Sequence, residues 1–404
     1  CVCVFLRLSV CVCDCMHVTL CMYVCLCVCV CVCVCARVCV CVWQESYRLW
    51  RELEKESGMK LLTVTGSLEI SDPAGSLNLV ECSRRAAELH GLPYEMLTGT
   101  EVNERFPAYR LPSHFLAFYQ PDSGILAAED CVQAHAEMAR RHGAQLLEGV
   151  RVSSWTAAGS TGRVSVTTDD GAVYEADRLV LCSGPWISQL VPELQEICTP
   201  ERQVVGWFPH NSPRDFNPDA FPVFIIDDAE GAYYGFPEFR SPGSMKVARF
   251  GHLGETGPPD ALRSSVSEVD VNVMRACLQR YFPSVSRDPT ECSSCLFTNS
   301  LDSDFILDHH PEHPQQVFLC SPCSGHGFKM SPVIGSIMAD LAQSGATAHD
   351  IRRHSLAKQR QVAFREWGQP PSAGRSHTVA SRPQRTSAPP SHAMPFLPVR
   401  MRAF

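Results

Sequence analysis

Residues 316–345 read QVFLCSPCSGHGFKMSPVIGSIMADLAQSG, and this stretch decides the fold class of the chain. The apolar run at 316–320 predicts a buried strand, and a loop with two glycines follows it. Ser331 is suited to cap a helix with Pro332 in the first turn, and Gly345 is suited to end it. A strand, a glycine-bearing loop and a helix N-terminus in succession form a seat for an anion or a cofactor.

A second apolar strand is predicted at 176–182, of the kind that a parallel sheet buries on both faces. It leads into a turn at 183–186 and then a helix as far as Leu194. Other predicted elements are helices at 43–56 and 130–142, a strand at 61–69 interrupted at Gly66, and a hairpin turn at Asp170-Gly171. Apolar stretches thus alternate with turn signals at ordinary spacing, and residues 43–365 are long enough to bury an ordinary core.

The composition of the 404 residues excludes several classes of protein. The net charge is −8, and basic residues are not clustered, so we expect no nucleic-acid partner. The chain has 23 cysteines, but 14 of them lie within the first 41 residues. The remainder therefore has an ordinary cysteine content and is typical of a reduced, intracellular protein.

Residues 1–42 are a low-complexity tract in which cysteine and valine alternate. Alternation would place all cysteines on one face of a strand, and the tract is also open to soft-metal binding or membrane insertion. We favour a translated TG-dinucleotide repeat with no evolved role, because the codons TGT-GTG encode Cys-Val. Residues 366–404 are rich in Pro, Ser and Arg, and we expect them to be disordered.

Two C-x-x-C pairs suggest a zinc site or a redox dithiol. The spacer between the pairs is longer than usual for zinc, and the second pair begins inside an apolar strand, so we expect no metal. The four cysteines are Cys292, Cys295, Cys320 and Cys323.

Other residues invite either a functional or a packing interpretation. Lys329, after the glycine loop, could hold a carboxylate, although the loop could equally be a tight turn before a core helix. Tyr233 and Tyr234 could be packed within a strand. Lys246 and His252 could lie at solvated strand ends.

A resemblance raises the functional interpretation of these residues. Residues 295–313 read CLFTNSLDSDFILDHHPEH, and SGHGFK follows at 324–329. These motifs resemble the monomeric sarcosine oxidase family, which includes N-methyl amino acid and pipecolate oxidases and has the pattern C-x-Y/F-T-N-x-x-D-x-x-F-I-I/L-D, then S-G-H-G-F-K. Supporting matches are LLTVTGSL at 61–68, DSGIL at 122–126, LVLCSGPW at 179–186 and YYGFP at 233–237. The resemblance covers about residues 44–350.

The resemblance implies an α/β fold with two domains, of which the FAD domain would lack its first βαβ unit. A Rossmann-like FAD domain would be formed by about residues 126–198 and 301–362. A substrate domain with a mixed, largely antiparallel sheet would be formed by about residues 60–125 and 199–300.

The implied reaction is oxidation of a secondary amino acid, N-methyl or cyclic, such as sarcosine. The amino acid gives two electrons to FAD and becomes an imine. O2 then takes the electrons from the reduced flavin and becomes H2O2. We expect a monomer with a small-molecule substrate, no membrane partner, and a cytoplasmic or peroxisomal location.

Catalytic roles carry over from the family residue by residue. Cys295 matches the cysteine that bonds to the flavin 8α carbon, and Lys246 matches the lysine beside flavin N5 that speeds the reaction with O2. Lys329 matches the lysine that meets the flavin pyrimidine edge and the substrate carboxylate, and Tyr234 matches an active-site tyrosine. His252 stands for the family's active-site histidine, although it lies one residue from the aligned position, where Gly251 falls.

Further residues match cofactor contacts of the family. Backbone groups of the glycine loop would line the flavin's pyrimidine side, and other positions would lie near the adenosine half. They are Ser324, Gly325, His326, Gly327, Phe328, Val152, Gly184 and Trp186.

The sequence departs from the family at its beginning. The family starts with a strand and G-x-G-x-x-G, which seats the FAD pyrophosphate, whereas no such motif occurs in these 404 residues. The acidic ribose partner and an arginine-bearing flavin loop have no match either, and Phe297 replaces a tyrosine of some relatives. We therefore expect an N-terminally truncated FAD domain whose sheet lacks a central strand and has two unpaired edges. Two alternatives stay open: a flavin-free remnant or gene-model product, and a cysteine-ligated zinc or membrane-tethered protein.

Overall fold

The structure is a computed structural model that describes residues 2–5, 10–13, 36–73, 75, 78–159 and 162–367. Most of the Cys-Val tract lies outside the described residues, and so does the tail from residue 368 onward. The prediction of disorder for the tail therefore falls almost wholly on residues that the structure does not describe.

Helices and strands alternate through the described residues. The helices are α1 Ala36–Ser57, α2 Leu79–His90, α3 Gly99–Arg105, α4 Ala128–Arg141, α5 Ile187–Leu190, α6 Pro213–Phe216, α7 Glu268–Tyr281, α8 Ser331–Ser344 and α9 Leu356–Trp367. The strands are β1 Val2–Phe5, β2 Val10–Cys13, β3 Leu62–Val64, β4 Ser67–Ser71, β5 Glu95–Thr98, β6 Leu116–Gln120, β7 Gly124–Leu126, β8 Gln145–Glu148, β9 Val152–Ala157, β10 Val164–Thr168, β11 Val173–Ala176, β12 Leu179–Cys182, β13 Thr199–Pro209, β14 Val223–Asp228, β15 Gly231–Phe236, β16 Ser244–Arg249, β17 Glu291–Asn299, β18 Ile306–His309 and β19 Val317–Ser321.

The larger sheet has eight strands among the described residues, in the order β17-β13-β16-β15-β14-β4-β6-β5. Its neighbours pair antiparallel except β14 and β4, which are parallel. One face packs against α7, where Val204, Phe208 and Val247 share a buried core with Met274 and Leu278. This arrangement confirms the mixed, largely antiparallel sheet predicted from the resemblance.

A second sheet, of six strands, has the order β18-β19-β12-β1-β2-β8 and is called the smaller sheet below. Strands β12 and β19 run parallel within it. The expectation of two unpaired edges is wrong here, because β1 pairs antiparallel with β12 and β2 pairs parallel with β8. Ladder hydrogen bonds join backbone groups and do not depend on side-chain identity, so valine-rich segments are able to occupy these positions. The smaller sheet and α8 form the α/β part of the fold, which confirms the predicted fold class.

The strand–loop–helix predicted at 316–345 is confirmed in its order. Strand β19 is followed by the loop, and α8 ends at Ser344 with Gly345 in the left-handed conformation at φ 76°. The predicted capping role of Ser331 is wrong: α8 already begins at this residue, and no side-chain cap bond is present at Met330 before it. A 3₁₀ turn at Phe328–Met330 leads directly into α8, so the backbone is helical without a break from Phe328 onward.

Other boundaries also differ from the predictions. The predicted strand at 176–182 is shortened to β12, and the predicted helix as far as Leu194 is divided into α5 and a 3₁₀ turn at Pro192–Leu194. The predicted helix at 43–56 begins earlier, at Ala36, so the last residues of the Cys-Val tract belong to α1. The predicted strand at 61–69 is divided at Gly66, which has φ 73°. Its halves belong to different sheets, since β3 pairs with β7 and β4 pairs with β14 and β6.

Candidate functional site

Strand register places several predicted site residues on one face of the larger sheet. Gln203 on β13 lies opposite Cys295 on β17, and Trp207 on β13 lies opposite Lys246 on β16. Opposed side chains, and side chains an even number of residues apart on one strand, project to the same side. We call this surface the site face, and it carries Cys295, Gln203, Trp207, Lys246, Tyr234 and Phe236.

Lys246 is only 4% exposed and lies among aromatic rings. Its Nζ is 5.2 Å from the ring centroids of both Trp207 and Phe236. The face of an aromatic ring attracts a cation, so these rings stabilise an ammonium group that burial would otherwise disfavour. Lys246 also lines a small cavity, whose other walls are Ile125, Leu126, Trp207, Phe236, Pro237 and Phe239.

Tyr234 lies on the same face, one strand pair from the lysine. It is opposite Ala248, two residues along β16 from Lys246. Its ring is 4.6 Å from that of Phe250 and 6.4 Å from that of Phe236. The structure thus brings Tyr234, Lys246 and an apolar wall together on one face of the sheet.

The glycine loop after β19 packs against the strand that bears Cys295. The backbone N–H of Ser324 donates to the Thr298 carbonyl at 2.9 Å, and the Thr298 N–H donates to the Cys323 sulfur at 3.2 Å. A Cβ on Gly325 would lie 2.6 Å from the Phe297 ring, and Gly325 has φ 76°. Glycine is therefore required for this loop to approach β17 so closely.

Lys329 is held in position through its backbone by α1. Its carbonyl accepts hydrogen bonds from the Ser46 hydroxyl and from Trp50 Nε1, the latter at 2.9 Å. The Trp50 ring also stacks on Phe328, with centroids 6.0 Å apart. Helix α1 therefore fixes the loop on which Lys329 lies, and the lysine side chain is 4% exposed.

His326 has its ring directed at a neighbouring loop. Nε2 is 2.9 Å from the Ser303 carbonyl, and the ring lies 4.9 Å from that of Phe305. The histidine side chain thus anchors the glycine loop to the neighbouring loop at Ser303.

The residues predicted near the adenosine half divide into two groups. Gly184 and Trp186 follow β12 in a 3₁₀ turn that contacts β17, and the indole Nε1 donates to Asp260 at 3.0 Å. Because β12 and β19 are parallel, this turn and the glycine loop lie at the same edge of the smaller sheet. Val152, in contrast, begins β9 in a separate three-stranded sheet.

His252 is not brought together with the residues of the site face. Its Nε2 lies 3.0 Å from Asp270 on α7, and the same carboxylate accepts from Arg202 at 2.8 Å. Arg202 precedes Gln203 on β13 and so projects to the opposite side of the sheet. The position of His252 in the sequence gave no sign of this, because Asp270 and Arg202 are distant along the chain.

Charges in this cluster shift the pKa values of both partners. Burial raises the pKa of the Asp270 carboxyl, but hydrogen bonds from Arg202 and Arg263 outweigh it and hold the pKa well below its usual range. Burial lowers the pKa of His252, and the hydrogen bond to Asp270 opposes this only in part. The cluster is therefore a buried ionic clamp between β13 and α7.

The four cysteines of the C-x-x-C pairs are not assembled into a metal centre. Cys292 packs against the core beneath α7, and Cys320 is buried in the core around α8. Among the described residues, no group of three or more His, Cys, Asp or Glu side chains is arranged to hold a metal ion. Within the same residues, no helix is long and apolar enough to cross a membrane.

Sequence reasoning missed Gln203, Trp207 and Phe236. A signal was present for the first two, because Gln203, Val205 and Trp207 recur with the period of two that strands show. Nothing in the sequence indicated that this strand lies between β17 and β16, so the link to Cys295 and Lys246 could not be predicted.

Comparisons with known proteins agree with the geometry. A sequence model of the family described as FAD dependent oxidoreductase matches residues 40–341. Monomeric sarcosine oxidase of Bacillus sp. (strain B-0618) is 36% identical over 315 residues, which are 77% of this chain and 79% of that protein. N-methyl-L-tryptophan oxidase of Yersinia pestis (strain Pestoides F) is 29% identical over 316 residues, which are 77% of this chain and 81% of that protein.

Solved structures show the same fold. The open form of NikD, an unusual amino acid oxidase essential for nikkomycin biosynthesis, is similar with a TM-score of 0.66 and 25% identity. The match covers 78% of this chain and 82% of that one. Glycine oxidase from Geobacillus kaustophilus shares the fold, with a TM-score of 0.64, 21% identity, and coverage of 79% and 82%.

Proposed function

We propose a function for this chain from the family to which it belongs, the FAD dependent oxidoreductases. The proposed reaction is oxidation of a secondary amino acid, N-methyl or cyclic, to its imine, with O2 reduced to H2O2. The observation that carries the proposal is the strand register that aligns Cys295, Lys246 and Tyr234 on the site face.

The residues beside this face fit a flavin. Two residues have buried polar atoms with no hydrogen-bond partner within the described residues: Ser183, through its Oγ after β12, and Gln203, through both amide atoms. Buried polar groups are normally paired, so a polar ligand that meets them is favoured. When bound, FAD would accept the two electrons that the amine gives up.

Cys295 and Lys246 have separate proposed roles. Cys295 would hold the flavin covalently through its sulfur, a role that requires the thiolate form. Lys246 would place a positive charge where negative charge develops as O2 is reduced, and its aromatic surroundings keep that charge in an apolar cavity.

Substrate binding falls to Lys329 and Tyr234 in this proposal. The Lys329 ammonium would pair with the substrate carboxylate, and the α1 contacts to its carbonyl hold its backbone for that purpose. Tyr234 and the apolar cavity walls would orient the substrate carbon that loses hydrogen. The amine reacts as the free base, because a protonated nitrogen has no lone pair to donate.

Backbone groups complete the proposed cofactor site. The flavin's pyrimidine side would be lined by the backbone N–H groups of Ser324, Gly325, His326, Gly327 and Phe328. These residues precede the N-terminus of α8, where free N–H groups favour a negatively charged or polar ligand. Gly184 and Trp186, in the turn after β12, would lie near the adenosine half, and Val152 is assigned there on the family match alone. His252 stays a prediction for catalysis, and its place in the Asp270 cluster gives that assignment no support.

A flavin-free protein is the second candidate function. It is favoured by the sequence, because no G-x-G-x-x-G occurs in the 404 residues. It is also favoured by the sheet, because residues of the Cys-Val tract lie next to β12. Within these 404 residues the pyrophosphate of FAD has no glycine turn of this kind to bind.

Location and oligomeric state belong to the same proposal. We place the protein in the cytoplasm or the peroxisome, as the resemblance implies, and we expect a monomer. Imaging of a fluorescent fusion and light scattering after gel filtration test these two points.

The reaction is tested with the purified full chain and two secondary amino acids, sarcosine and pipecolate. The expected result is bleaching of flavin absorbance without O2, and equal O2 consumption and H2O2 formation with it. A Tyr234→Phe variant should react more slowly than the wild type, whereas Tyr174→Phe, in the three-stranded sheet, should not. A folded chain without flavin absorbance, or one that neither substrate bleaches, contradicts the proposal.

A further inference from the structure

Gln203 is a buried amide without a hydrogen-bond partner in the described part of the chain. Its side chain is 1% exposed, and neither Nε2 nor Oε1 makes a hydrogen bond there. A buried polar group left unpaired disfavours the folded state. Such a group at a strand centre therefore suggests a partner that forms in another state of the protein.

Cys295 is the residue that directly faces Gln203 across the two strands. The pair belongs to an uninterrupted antiparallel register, which runs from Thr199 paired with Asn299 to Trp207 paired with Glu291. Residues opposed in this way have Cβ atoms about 4.5–5.5 Å apart and share one face of the sheet. The amide of a glutamine is long enough to reach a cysteine sulfur across that separation.

The chemistry of the two groups is complementary in one state only. A thiol accepts hydrogen bonds weakly, but a thiolate carries a full charge and accepts them strongly. The Gln203 amide has two N–H donors and no charge, so it stabilises the thiolate without introducing an ion pair.

We propose that Gln203 is a positioning residue for Cys295 and donates a hydrogen bond from Nε2 to the Cys295 sulfur when that sulfur is ionised. In this step the S–H bond of Cys295 breaks, the proton passes to water, and the N–H···S⁻ bond forms. The inference rests on the proposed function in one respect, because the thiolate is the form that would bond to the flavin.

The test measures the reactivity of Cys295 without flavin. The full chain is made by cell-free translation with no added flavin and treated with iodoacetamide between pH 6 and 10. Mass spectrometry then gives the alkylation rate of each cysteine. In Gln203→Leu, which keeps the side-chain size and removes the donor, we expect the midpoint of the Cys295 profile to rise by about one pH unit or more, so that alkylation at pH 7 slows about tenfold.

Two controls separate this effect from a general loss of structure. Cys292 lies on the same strand but opposite Gly206 and projects to the other face, so its profile should stay unchanged. Burial raises the pKa of Cys292 to about 11, which keeps its reaction slow over most of the range. A Gln195→Leu variant removes an exposed amide and should leave both cysteines as in the wild type.

The inference is overturned if Gln203→Leu and the wild type give the same Cys295 profile, or if Cys292 shifts equally. It is separate from the proposed function in outcome. A shifted Cys295 profile in a chain that never acquires flavin supports the hydrogen bond and contradicts flavin attachment, whereas an unshifted profile in a flavin-bearing chain does the reverse.

Discussion

Lys246 shows how neighbouring side chains determine the chemistry of a residue. Alone in the sequence it is an ordinary lysine near a strand end. In the structure it is buried between Trp207 and Phe236 and lines an apolar cavity. Sequence reasoning identified the lysine through a family motif, but it could not identify the rings, because one of them lies on a different, non-consecutive strand.

Replacement of Lys246 by methionine tests its role in the reaction with O2. The side chain keeps its length but loses its charge, so we expect reoxidation by O2 to slow about a hundredfold. Reduction by the substrate should change much less, and stopped-flow absorbance measures the two half-reactions separately. Lys60→Met, at an exposed position, is the matched control. Equal slowing of both half-reactions would contradict a specific role toward O2.

Asp270 tests the interpretation of the buried ionic clamp. Asp270→Asn leaves the buried Arg202 guanidinium without its carboxylate, and we expect the free energy of unfolding to fall by about 3–5 kcal/mol. Asp288→Asn removes an exposed carboxylate that pairs with Arg275 and should cost less than about 1 kcal/mol. Urea denaturation at pH 7 measures both, and equal losses would show that the clamp adds nothing.

The pH dependence of the same variant has a definite sign. The Asp270 pKa is lowered in the folded protein, so the carboxylate stabilises the fold above the usual aspartate pKa of about 3.9. That contribution is lost as the pH falls below this value. The difference in stability between wild type and Asp270→Asn should therefore be constant from pH 7 to 5 and shrink below about pH 4. A difference that grows on acidification is the opposite of this expectation.

Elements differ in how far the sequence predicted them. The helix at Ser331–Ser344 was predicted closely, because its apolar spacing and its final glycine are local signals. The contact between α1 and the glycine loop was not, since Ser46 and Trp50 lie 283 and 279 residues from Lys329 along the chain. Local patterns give the type of an element, whereas tertiary packing decides which elements meet.

Trp50→Phe tests whether α1 supports the cofactor site. The change removes the hydrogen bond to the Lys329 carbonyl, and we expect a loss of about 1–2 kcal/mol in unfolding free energy and less flavin per chain. Trp155→Phe removes a similar bond, to the Leu190 carbonyl at 2.8 Å, and should lower stability without lowering flavin content. Flavin content is read from visible absorbance per chain, and an equal loss in both variants would assign the effect to stability alone.

At the scale of the whole molecule, the two largest sheets among the described residues have different tasks. The larger sheet presents the site face, and the smaller sheet ends its parallel strands at the glycine loop and the turn that carries Gly184. The sequence predicted this division from motifs in discontinuous segments, and the division into two domains stays a prediction. The pairing of β1 with β12 was not predicted, because a repetitive Cys-Val sequence contains no signal for one partner over another.

The visible spectrum of the purified full chain, before and after acid precipitation, tests the central claim most directly. The account predicts flavin absorbance that stays with the precipitated protein and is lost in Cys295→Ser, because the sulfur of Cys295 holds the cofactor. A folded, colourless chain would contradict the account and favour the flavin-free candidate.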